Sequence, residues 1–351
     1  MKTYLVTGGA GFIGSNFIIY MLSKYDDVKI VNLDSLTYAG NLRNLESVQN
    51  NKNYTFIRGD ICDNFPVNKI FNDYDVDYVV NFAAESHVDR SIEDPDIFVK
   101  TNVLGTLNLL NCAKKAWFRD GKWQAGRRFH QVGTDEVYGS LGDTGFFTED
   151  SKLDPHSPYS ASKASADLMV KSYFDTYNMP ISITRCSNNY GPFQFPEKLI
   201  PLLINNAVNH KNIPVYGDGL NVRDWLYVED HCKAIDMVIK EGVEGQVYNV
   251  GGHNEKKNIE IVKEVIDYLN ENYDKTITKD LITYVEDRKG HDRRYAIDPK
   301  KIKDELGWYP ETPFNEGIIK TIKWYLDNKN WMDEVTTGDY ENYYNKMYIK
   351  S

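Results

Sequence analysis

Seven short apolar runs, rich in β-branched residues, recur along the chain and are separated by stretches with helical character. Their length and composition are typical of buried strands rather than of helices. Strands that alternate with helices predict a parallel sheet that is covered by helices on both faces. We therefore expect an α/β fold with a doubly wound parallel sheet. The runs are YLVT (4–7), VKIVNL (28–33), YTFI (54–57), VDYVVNFAA (76–84), RRFHQVG (127–133), ISITRC (181–186) and QVYNV (246–250).

The alternation weakens after about residue 190, where proline, glycine and aromatic residues become denser. This change predicts a second, smaller lobe, whereas the late run QVYNV indicates a strand that returns to the main sheet. We predict a first domain over residues 1–190, with a returning segment near 222–252. The smaller carboxyl-terminal lobe is expected over 191–351, interleaved with the first domain.

A glycine-rich turn, TGGAGFIGS, follows the first predicted strand and opens a helix. Gly8, Gly11 and Gly14 let the backbone approach a pyrophosphate, and the helix N-terminus offers free N–H groups. Asp34 ends the second predicted strand, 20 residues after Gly14. A carboxylate there accepts hydrogen bonds from the adenosine ribose and repels a 2′-phosphate. This context predicts a Rossmann-type NAD site rather than an NADP site, with a tight turn and helix cap as the alternative.

Two neighbouring acids, Asp135 and Glu136, follow Thr134 at the end of the fifth predicted strand. Adjacent strand residues point to opposite faces, so both acids reach one site only if the strand ends at Thr134 and the chain turns. An elimination needs such a pair: an ionised base removes a proton beside a carbonyl, and a protonated acid helps to expel water. An acid that caps the next helix is the alternative for either residue.

Tyr159 and Lys163 are four residues apart in SPYSASKASAD and lie on one face of a predicted helix. An ammonium group beside a phenol favours phenolate, and a pKa shift from about 10 towards about 7 needs roughly 4 kcal/mol. A Tyr-x-x-x-Lys pair is also common on solvated helix faces. After an NAD turn and a strand-end threonine, it predicts the proton relay of hydride transfer to or from an alcohol.

With these residues the chain resembles the extended short-chain dehydrogenase/reductase superfamily, in which residues matching Thr134, Tyr159 and Lys163 form the catalytic set. It resembles the dTDP-glucose 4,6-dehydratases in particular, over nearly its whole length. The matching stretches are TGGAGFIGSNF, NLDSLTYAGN, NFAAESHVDRSI, TDEVYG, SPYSASKASAD, RCSNNYGP, EKLIP, RDWLYVED and EDRKGHDRRYAID. One departure is Lys289, where these enzymes usually have proline, so we expect a less rigid loop there.

The resemblance implies an NAD-dependent hydro-lyase that converts dTDP-α-D-glucose to dTDP-4-keto-6-deoxy-D-glucose and water. The implied cycle oxidises carbon 4, eliminates water across carbons 5 and 6, and returns the hydride to carbon 6, so NAD stays tightly bound. Asp135 is then the general acid for the leaving hydroxyl and Glu136 the base at carbon 5. Thr134 and Tyr159 hold and deprotonate the hydroxyl on carbon 4. The product usually leads to rhamnose or another deoxysugar of surface polysaccharide.

The resemblance also implies two sets of ligand contacts. The NAD contacts are Gly8, Gly11, Phe12, Ile13, Gly14, Asp34, Ser35, Leu36, Thr37, Asp60, Ile61, Ala83, Ala84, Ser86, Thr101, Tyr159, Lys163 and Asn189. The sugar-nucleotide contacts are His87, Thr134, Asn188, Lys198, Leu199, Pro214, Tyr216, Arg223, Asn258, Arg288 and His291. Without the resemblance, a run such as EDRKGHDRR is more typical of a solvated charged loop.

Composition narrows the range of partners. The formal charge of −10 argues against nucleic acid and requires local cations for an anionic substrate. No run approaches the roughly 18 apolar residues of a membrane span, and no targeting segment is expected. The cysteines are too scattered for a disulfide frame or a zinc site, which favours a cytoplasmic protein without a metal. They are Cys62, Cys112, Cys186 and Cys232.

A homodimer packed through helices is usual in the superfamily that the chain resembles. Candidates for its interface are the predicted helix 101–116 and the helix that carries Tyr159 and Lys163.

Two other functions remain open. A sugar-nucleotide 4-epimerase or decarboxylase keeps the NAD turn, Tyr159 and Lys163 but does not need both Asp135 and Glu136. A non-catalytic NAD-binding sensor or scaffold needs neither the acids nor the proton relay.

Overall fold

The structure is a computed structural model that describes residues 1–338, Tyr340 and Tyr344. The rest of the predicted second lobe, at its carboxyl end, lies outside the described residues. The strands are β1 (Lys2–Thr7), β2 (Val28–Asp34), β3 (Tyr54–Arg58), β4 (Tyr78–Asn81), β5 (Phe118–Arg119), β6 (Lys122–Trp123), β7 (Arg128–Thr134), β8 (Ile181–Cys186), β9 (Asn188–Tyr190), β10 (Ile213–Tyr216), β11 (Val222–Tyr227), β12 (Val247–Val250), β13 (Glu255–Lys257) and β14 (Ile282–Val285).

Helices alternate with these strands. They are α1 (Phe12–Lys24), α2 (Asn64–Asp73), α3 (Val88–Glu93), α4 (Pro95–Phe98), α5 (Thr106–Trp117), α6 (Pro158–Tyr177), α7 (Leu199–Val208), α8 (Val228–Glu241), α9 (Asn258–Asn272), α10 (Lys300–Leu306), α11 (Phe314–Asp327) and α12 (Lys329–Val335). Short 3₁₀ segments lie at Leu42–Leu45, Asp135–Tyr138 and Lys279–Leu281, and a π-helical segment lies at Val99–Gly105. Among the described helices, none is long and apolar enough to cross a membrane.

The central sheet has seven strands in the order β3–β2–β1–β4–β7–β8–β12. Every neighbouring pair in it is parallel. All seven predicted runs are strands of this sheet, which confirms the Rossmann-type fold class. The strand order reverses between β1 and β4, and in such sheets ligands bind outside the carboxyl ends of the strands at this point.

The strands of the central sheet pack against helices on both faces of the sheet, as the residues of β1 show. Leu5 packs in the cluster that joins the sheet to α2, α5 and α6. Tyr4 and Val6 point the other way, into the cluster with α1 and α8. This alternation, with apolar residues on both sides, is why the predicted strands read as continuous apolar runs.

The carboxyl-terminal lobe has a core of its own, formed largely by α7, α9 and α11 with β10 and β11. Its strands form two small sheets, β13–β11–β9 and β10–β14. β12 leaves this lobe and pairs with β8 in the central sheet. The chain therefore crosses between the two cores several times, which brings loops of both to the carboxyl edge of the main sheet.

Candidate active site

A cavity of about 370 Å³ lies at the carboxyl ends of the central strands. Every predicted NAD contact except Leu36 contributes to its lining, and we call it the cofactor pocket. Leu36 instead shapes the loop after β2. Its φ is 55°, and its N–H donates to Asp34 Oδ1 at 2.8 Å.

The glycine turn explains how a pyrophosphate can fit here. A Cβ on Gly14 would lie 2.4 Å from the carbonyl oxygen of Gly8, so only glycine allows this close approach. Gly11 precedes the first turn of α1, and no side chain among the described residues caps that turn. The N–H groups of Phe12 and Ile13 are therefore available to an anionic ligand at the positive end of the helix.

Asp34 is suited to hold a ribose. Its carboxylate accepts backbone N–H bonds from Ala10 at 2.9 Å and from Leu36 at 2.8 Å, which orient it at the end of β2. Burial raises the pKa of Asp34, and these two donors oppose that shift. Each carboxylate oxygen keeps a second lone pair for a ligand hydroxyl. The Asp34 acceptors and the N–H donors that follow the glycine turn together fit NAD.

The paired acids lie where the sequence required them. Strand β7 ends at Thr134, and the chain turns into the 3₁₀ segment Asp135–Tyr138. The Thr134 hydroxyl begins this turn by accepting the Glu136 N–H at 3.3 Å. Because the strand stops here, Asp135 and Glu136 both line the cofactor pocket instead of facing opposite sides of the sheet.

The surroundings of the two acids differ in charge. Burial raises the pKa of Asp135 well above its usual range, and the Glu136 and Asp224 carboxylates raise it further. Burial also raises the pKa of Glu136, but Lys198, Arg223 and Arg288 oppose this shift. Asp135 is therefore the better proton donor and Glu136 the better base.

Tyr159 and Lys163 lie on the first turns of α6, which Ser157 begins with a capping box and Pro158 at its first position. Both side chains are buried and line the cofactor pocket. Lys163 Nζ donates to the Val132 carbonyl at 2.7 Å.

Burial and the Glu136 carboxylate raise the pKa of Tyr159 well above its usual range, against the direction that the Tyr-x-x-x-Lys spacing predicted. The Thr134 hydroxyl opposes this rise by a hydrogen bond. A nicotinamide ring, if bound beside this phenol, would add positive charge that favours the phenolate.

A second cavity, of about 140 Å³, adjoins the first one. The residues that line both are Glu136, Asn188, Asn189, Gln194, Glu197 and Lys198. We call the second cavity the substrate pocket. It brings together most of the predicted sugar-nucleotide contacts: His87, Asn188, Lys198, Leu199, Arg223, Asn258, Arg288 and His291. Thr134 lines the cofactor pocket next to Glu136.

Three cations offset the acids of this pocket. Lys198 Nζ donates to the Ser86 carbonyl at 2.8 Å, and the Arg223 guanidinium donates to the Asp292 carbonyl at 2.9 Å. Burial lowers the pKa of both groups, so an anionic ligand would stabilise their charges. Arg288 is the third cation. Burial and the two arginines lower the pKa of His291 to about 4, so this imidazole is neutral near pH 7.

Several buried acceptors have no hydrogen-bond partner among the described residues. In the two pockets they include Oδ2 of Asp135 and the side-chain oxygens of Asn188, Gln194 and Asn258. An unsatisfied buried acceptor costs about 1–3 kcal/mol, so these atoms indicate that a ligand with hydroxyl or N–H donors completes the site.

Two predicted substrate contacts, Pro214 and Tyr216, do not line the substrate pocket. Pro214 lines a separate cavity that also includes residues of α7 and of the chain after α12. Tyr216, two residues and about 7 Å further along β10, is close to the substrate pocket. Its hydroxyl donates to Asp89 at 3.2 Å, and the guanidinium of Arg288 lies 5.0 Å from its ring centre. Although Pro214 and Tyr216 lie two residues apart on one strand, Pro214 lines the separate cavity and Tyr216 lies beside Arg288 of the substrate pocket.

Other pocket residues were not predicted from the sequence. Asp292 accepts hydrogen bonds from His156 and Tyr295, both at 2.5 Å, and the Tyr295 ring lies 4.3 Å from the Arg223 guanidinium. Glu197 lines both pockets. Both acids occur in quoted motifs, next to predicted cations. A buried cation needs a carboxylate partner, and this requirement could have identified both acids from the sequence.

No group of three or more His, Cys, Asp or Glu side chains that could hold a metal ion is found within residues 1–338, Tyr340 and Tyr344.

Comparison with known proteins agrees with this geometry. The family model for GDP-mannose 4,6 dehydratase matches residues 5–321. The dTDP-glucose 4,6-dehydratase of Xanthomonas campestris pv. campestris strain B100 is 51% identical over 345 residues, which are 97% of this chain and 97% of that protein. The chain belongs to the dTDP-glucose 4,6-dehydratase family. The resemblance that the sequence motifs suggested is thereby confirmed.

Solved structures of the family show the same fold. The dTDP-glucose 4,6-dehydratase of Bacillus anthracis in complex with NAD superimposes with a TM-score of 0.86 at 50% identity, covering 95% of this chain and 100% of that one. The enzyme from Streptomyces venezuelae, with NAD and dTDP bound, gives a TM-score of 0.88 at 45% identity and covers 95% and 99%. NAD is thus present in family members that match nearly the whole chain.

Proposed function

We propose that this chain converts dTDP-glucose to dTDP-4-keto-6-deoxyglucose and water, as an NAD-dependent hydro-lyase. The observation that carries the proposal is the turn after Thr134. After this turn, Asp135 and Glu136 line one pocket together with Tyr159, which supports an acid and a base acting on one substrate. A 4-epimerase or decarboxylase does not need both acids, and a non-catalytic NAD-binding protein needs neither.

When bound, NAD would supply the acceptor for the hydride of carbon 4 and the donor that returns it to carbon 6. Tyr159, assisted by Thr134, takes the proton of the hydroxyl on carbon 4, and buried Lys163 stabilises negative charge on the phenol. The resulting ketone makes the C–H at carbon 5 acidic, and Glu136 removes that proton. Asp135 protonates the hydroxyl on carbon 6, which leaves as water. Glu136 then returns a proton to carbon 5, and return of the hydride to carbon 6 completes the 4-keto-6-deoxy product. Each acid is expected to contribute about 10²- to 10⁴-fold in rate.

The diphosphate of the substrate is assigned to the three cations of the substrate pocket. Guanidinium groups bind phosphate oxygens in a bidentate way, and Lys198 adds a point charge between the two pockets. Asn188 and Asn258 present unpartnered side-chain oxygens to hydroxyl or N–H donors of the ligand. These cations act locally, since the whole chain has a formal charge of −10.

The test is mass spectrometry of the product after the purified protein is incubated with dTDP-glucose in heavy water, without added NAD. Loss of one water and gain of one solvent deuterium at carbon 5 is the expected result, because Glu136 exchanges its proton with solvent and the cofactor is already bound. A sugar of altered configuration and unchanged formula would instead support the epimerase. A lack of reaction with dTDP-glucose and with other sugar nucleotides would contradict an enzymatic role.

We also propose a homodimer, formed by the surface where α4, the π-helical segment and α6 adjoin. This surface exposes the apolar side chains of Ile97, Val99, Leu104 and Leu168, of which Leu168 is 59% exposed. It includes α6 and the first part, residues 101–105, of the predicted helix 101–116. Light scattering should give twice the chain mass, and Leu168→Glu should lower it towards the monomer. Phe65→Glu, at an exposed position on α2, is the control. A monomer mass for the unaltered protein would refute the dimer.

The cellular setting is part of the same proposal. The four cysteines are free, and three of them are buried, as expected for a protein of the reducing cytoplasm. A 4-keto-6-deoxy sugar nucleotide is a precursor for deoxysugars such as rhamnose, so a role in polysaccharide biosynthesis is proposed. The division at residue 190, with NAD bound by the first domain and the sugar nucleotide by the second, belongs to the proposal as well.

A further inference from the structure

A buried carboxylate outside the catalytic set, that of Glu197, lies between the two pockets. It belongs to residues 194–198, which we call the bridging segment. Gln194, Glu197 and Lys198 line the cofactor pocket and the substrate pocket alike. The bridging segment is therefore the wall that the cofactor and the sugar nucleotide share.

Glu197 joins two other parts of the chain. Its side chain is 2% exposed, and its oxygens accept hydrogen bonds from the Tyr38 hydroxyl at 3.0 Å and from Arg90 Nε at 3.1 Å. The Arg90 guanidinium also lies 3.9 Å from the centre of the Tyr38 ring. Burial raises the pKa of Glu197, while Lys198 and Arg90 oppose the shift. Three side chains from distant positions thus form one compact group.

Tyr38 belongs to residues 35–40, which we call the cofactor loop. The residues on either side of it, Thr37 and Ala39, line the cofactor pocket, as do Ser35 and Gly40. This loop follows Asp34, the residue assigned to the adenosine ribose. By holding Tyr38, Glu197 therefore holds the part of the pocket wall that adjoins the adenosine half of the cofactor.

The bridging segment is itself fixed to the core of the second lobe. The buried Tyr325 hydroxyl donates to the Gln194 carbonyl at 2.8 Å, and the Tyr340 hydroxyl donates to the Pro196 carbonyl at 3.2 Å. The Phe195 ring packs edge-on against the Tyr38 ring, with centroids 5.6 Å apart. The segment is thus a fixed support, and the cofactor loop is the element that it restrains.

The residue after Glu197 connects this support to the substrate. Lys198 is one of the three cations assigned to the diphosphate, and its charge interacts with Glu197 and Glu136. A diphosphate bound to Lys198 restrains the backbone that also carries Glu197. Two adjacent residues, Glu197 and Lys198, therefore connect the cofactor loop with the substrate pocket.

We propose that Glu197 is a positioning residue: through Tyr38 it keeps the cofactor loop closed over NAD, and a diphosphate in the substrate pocket strengthens this hold. The inference rests on the proposed function for the identity of the two ligands. It accounts for a cofactor that must not dissociate between the oxidation and reduction halves of one turnover.

The experiment measures how fast the NAD of the purified protein exchanges with an excess of labelled NAD, with and without dTDP. In the unaltered protein dTDP should slow the exchange. Tyr38→Phe loses only a hydroxyl and should exchange about 10-fold faster, the usual effect of losing a hydrogen bond to a charged group. In this variant dTDP should slow the exchange less, a change in linkage that a general loss of stability would not produce.

Tyr25→Phe is the matched control, since the Tyr25 hydroxyl also donates to a carboxylate, that of Asp236, at 2.6 Å. It lies at the end of α1, away from both pockets, and its exchange should equal that of the unaltered protein. Glu197→Gln keeps an acceptor for Tyr38 but loses the ion pair with Arg90, so an intermediate rate is expected.

The inference is overturned if Tyr38→Phe exchanges NAD as slowly as the unaltered protein, or if dTDP slows both equally. NAD exchange can be measured without catalytic turnover. The role of Glu197 and the proposed function are therefore tested independently of each other. Normal product formation with exchange that is independent of Tyr38 contradicts the role of Glu197 alone. The expected exchange without any product contradicts the proposed function alone.

Discussion

The cofactor pocket and the substrate pocket adjoin, yet they are built in opposite ways. The cofactor pocket depends on backbone: a glycine turn, the uncapped first turn of α1 and the strand-end residue Asp34. The substrate pocket depends on long charged side chains from separate segments, such as Lys198, Arg223 and Arg288. Ligand binding in the cofactor pocket should therefore be sensitive to any added side-chain volume at the glycine turn. Ligand binding in the substrate pocket should instead depend on the balance between its cations and its acids.

The largest effect is expected from Glu136→Gln, at the junction of the two pockets. Glutamine keeps the shape but cannot take a proton, so turnover should fall by about 10²- to 10⁴-fold. Oxidation at carbon 4 does not need this base. Addition of dTDP-glucose should therefore still give the near-ultraviolet absorbance of reduced nicotinamide. Normal turnover would show that Glu136 is not the base.

The backbone character of the cofactor pocket predicts a graded effect of methyl groups. The Cβ of Gly14→Ala would lie 2.4 Å from the Gly8 oxygen, and that of Gly11→Ala 3.3 Å from it. NAD affinity should fall about 10- to 100-fold for the first variant and less for the second. Titration of the cofactor-free protein with NAD measures this.

Gly142→Ala provides the control for this series, because its Cβ would meet open space. Its NAD affinity should match that of the unaltered protein. Equal affinities for all three variants would mean that steric closeness of the turn does not determine cofactor binding.

The charge balance of the substrate pocket predicts two effects of Arg223→Ala. The KM for dTDP-glucose should rise about 10-fold because a charged contact to the diphosphate is lost. Arg223 also lowers the pKa of Glu136, so its removal should shift the acid limb of the rate profile to higher pH. Arg293→Ala, at an exposed ion pair with Asp218, is the control. An unchanged KM would exclude Arg223 from the site.

The smallest effect concerns the loop that carries Lys289 in place of the usual proline. His156, just before α6, bonds to Asp292 in this loop at 2.5 Å, and its pKa is raised by Asp292 and to a lesser extent by Asp154. The protonated pair is present at low pH and is lost as pH rises through this raised pKa, above about 6.5.

We therefore expect the KM for dTDP-glucose to rise about two-fold over this pH range, as is usual for a half-exposed ion pair. His156→Asn should remove the step. His210→Asn, which breaks a similar histidine–aspartate pair in the second lobe, should leave it in place. A pH step that persists in His156→Asn would assign it to another group.

Sequence reasoning succeeded where short-range constraints decide structure. The seven apolar runs are the seven strands of the central sheet. The sequence also predicted that the chain must turn after Thr134 if Asp135 and Glu136 are to reach one site, and the structure has this turn. In the second lobe, the predicted contacts Pro214 and Tyr216 do not line the substrate pocket, and their role in binding stays a prediction. From their spacing we predicted that Tyr159 and Lys163 lie side by side, and both line the cofactor pocket. The spacing did not indicate that burial and the Glu136 carboxylate raise the pKa of Tyr159.

The sequence by itself determined the parallel sheet, the NAD turn and the location of the paired acids, because these follow from strand periodicity, glycine sterics and strand-end geometry within a few residues. Only the tertiary structure decided that Glu197 joins Tyr38 to Arg90. Those contacts connect positions more than 100 residues apart. They depend on how two interleaved cores pack, which no local pattern specifies.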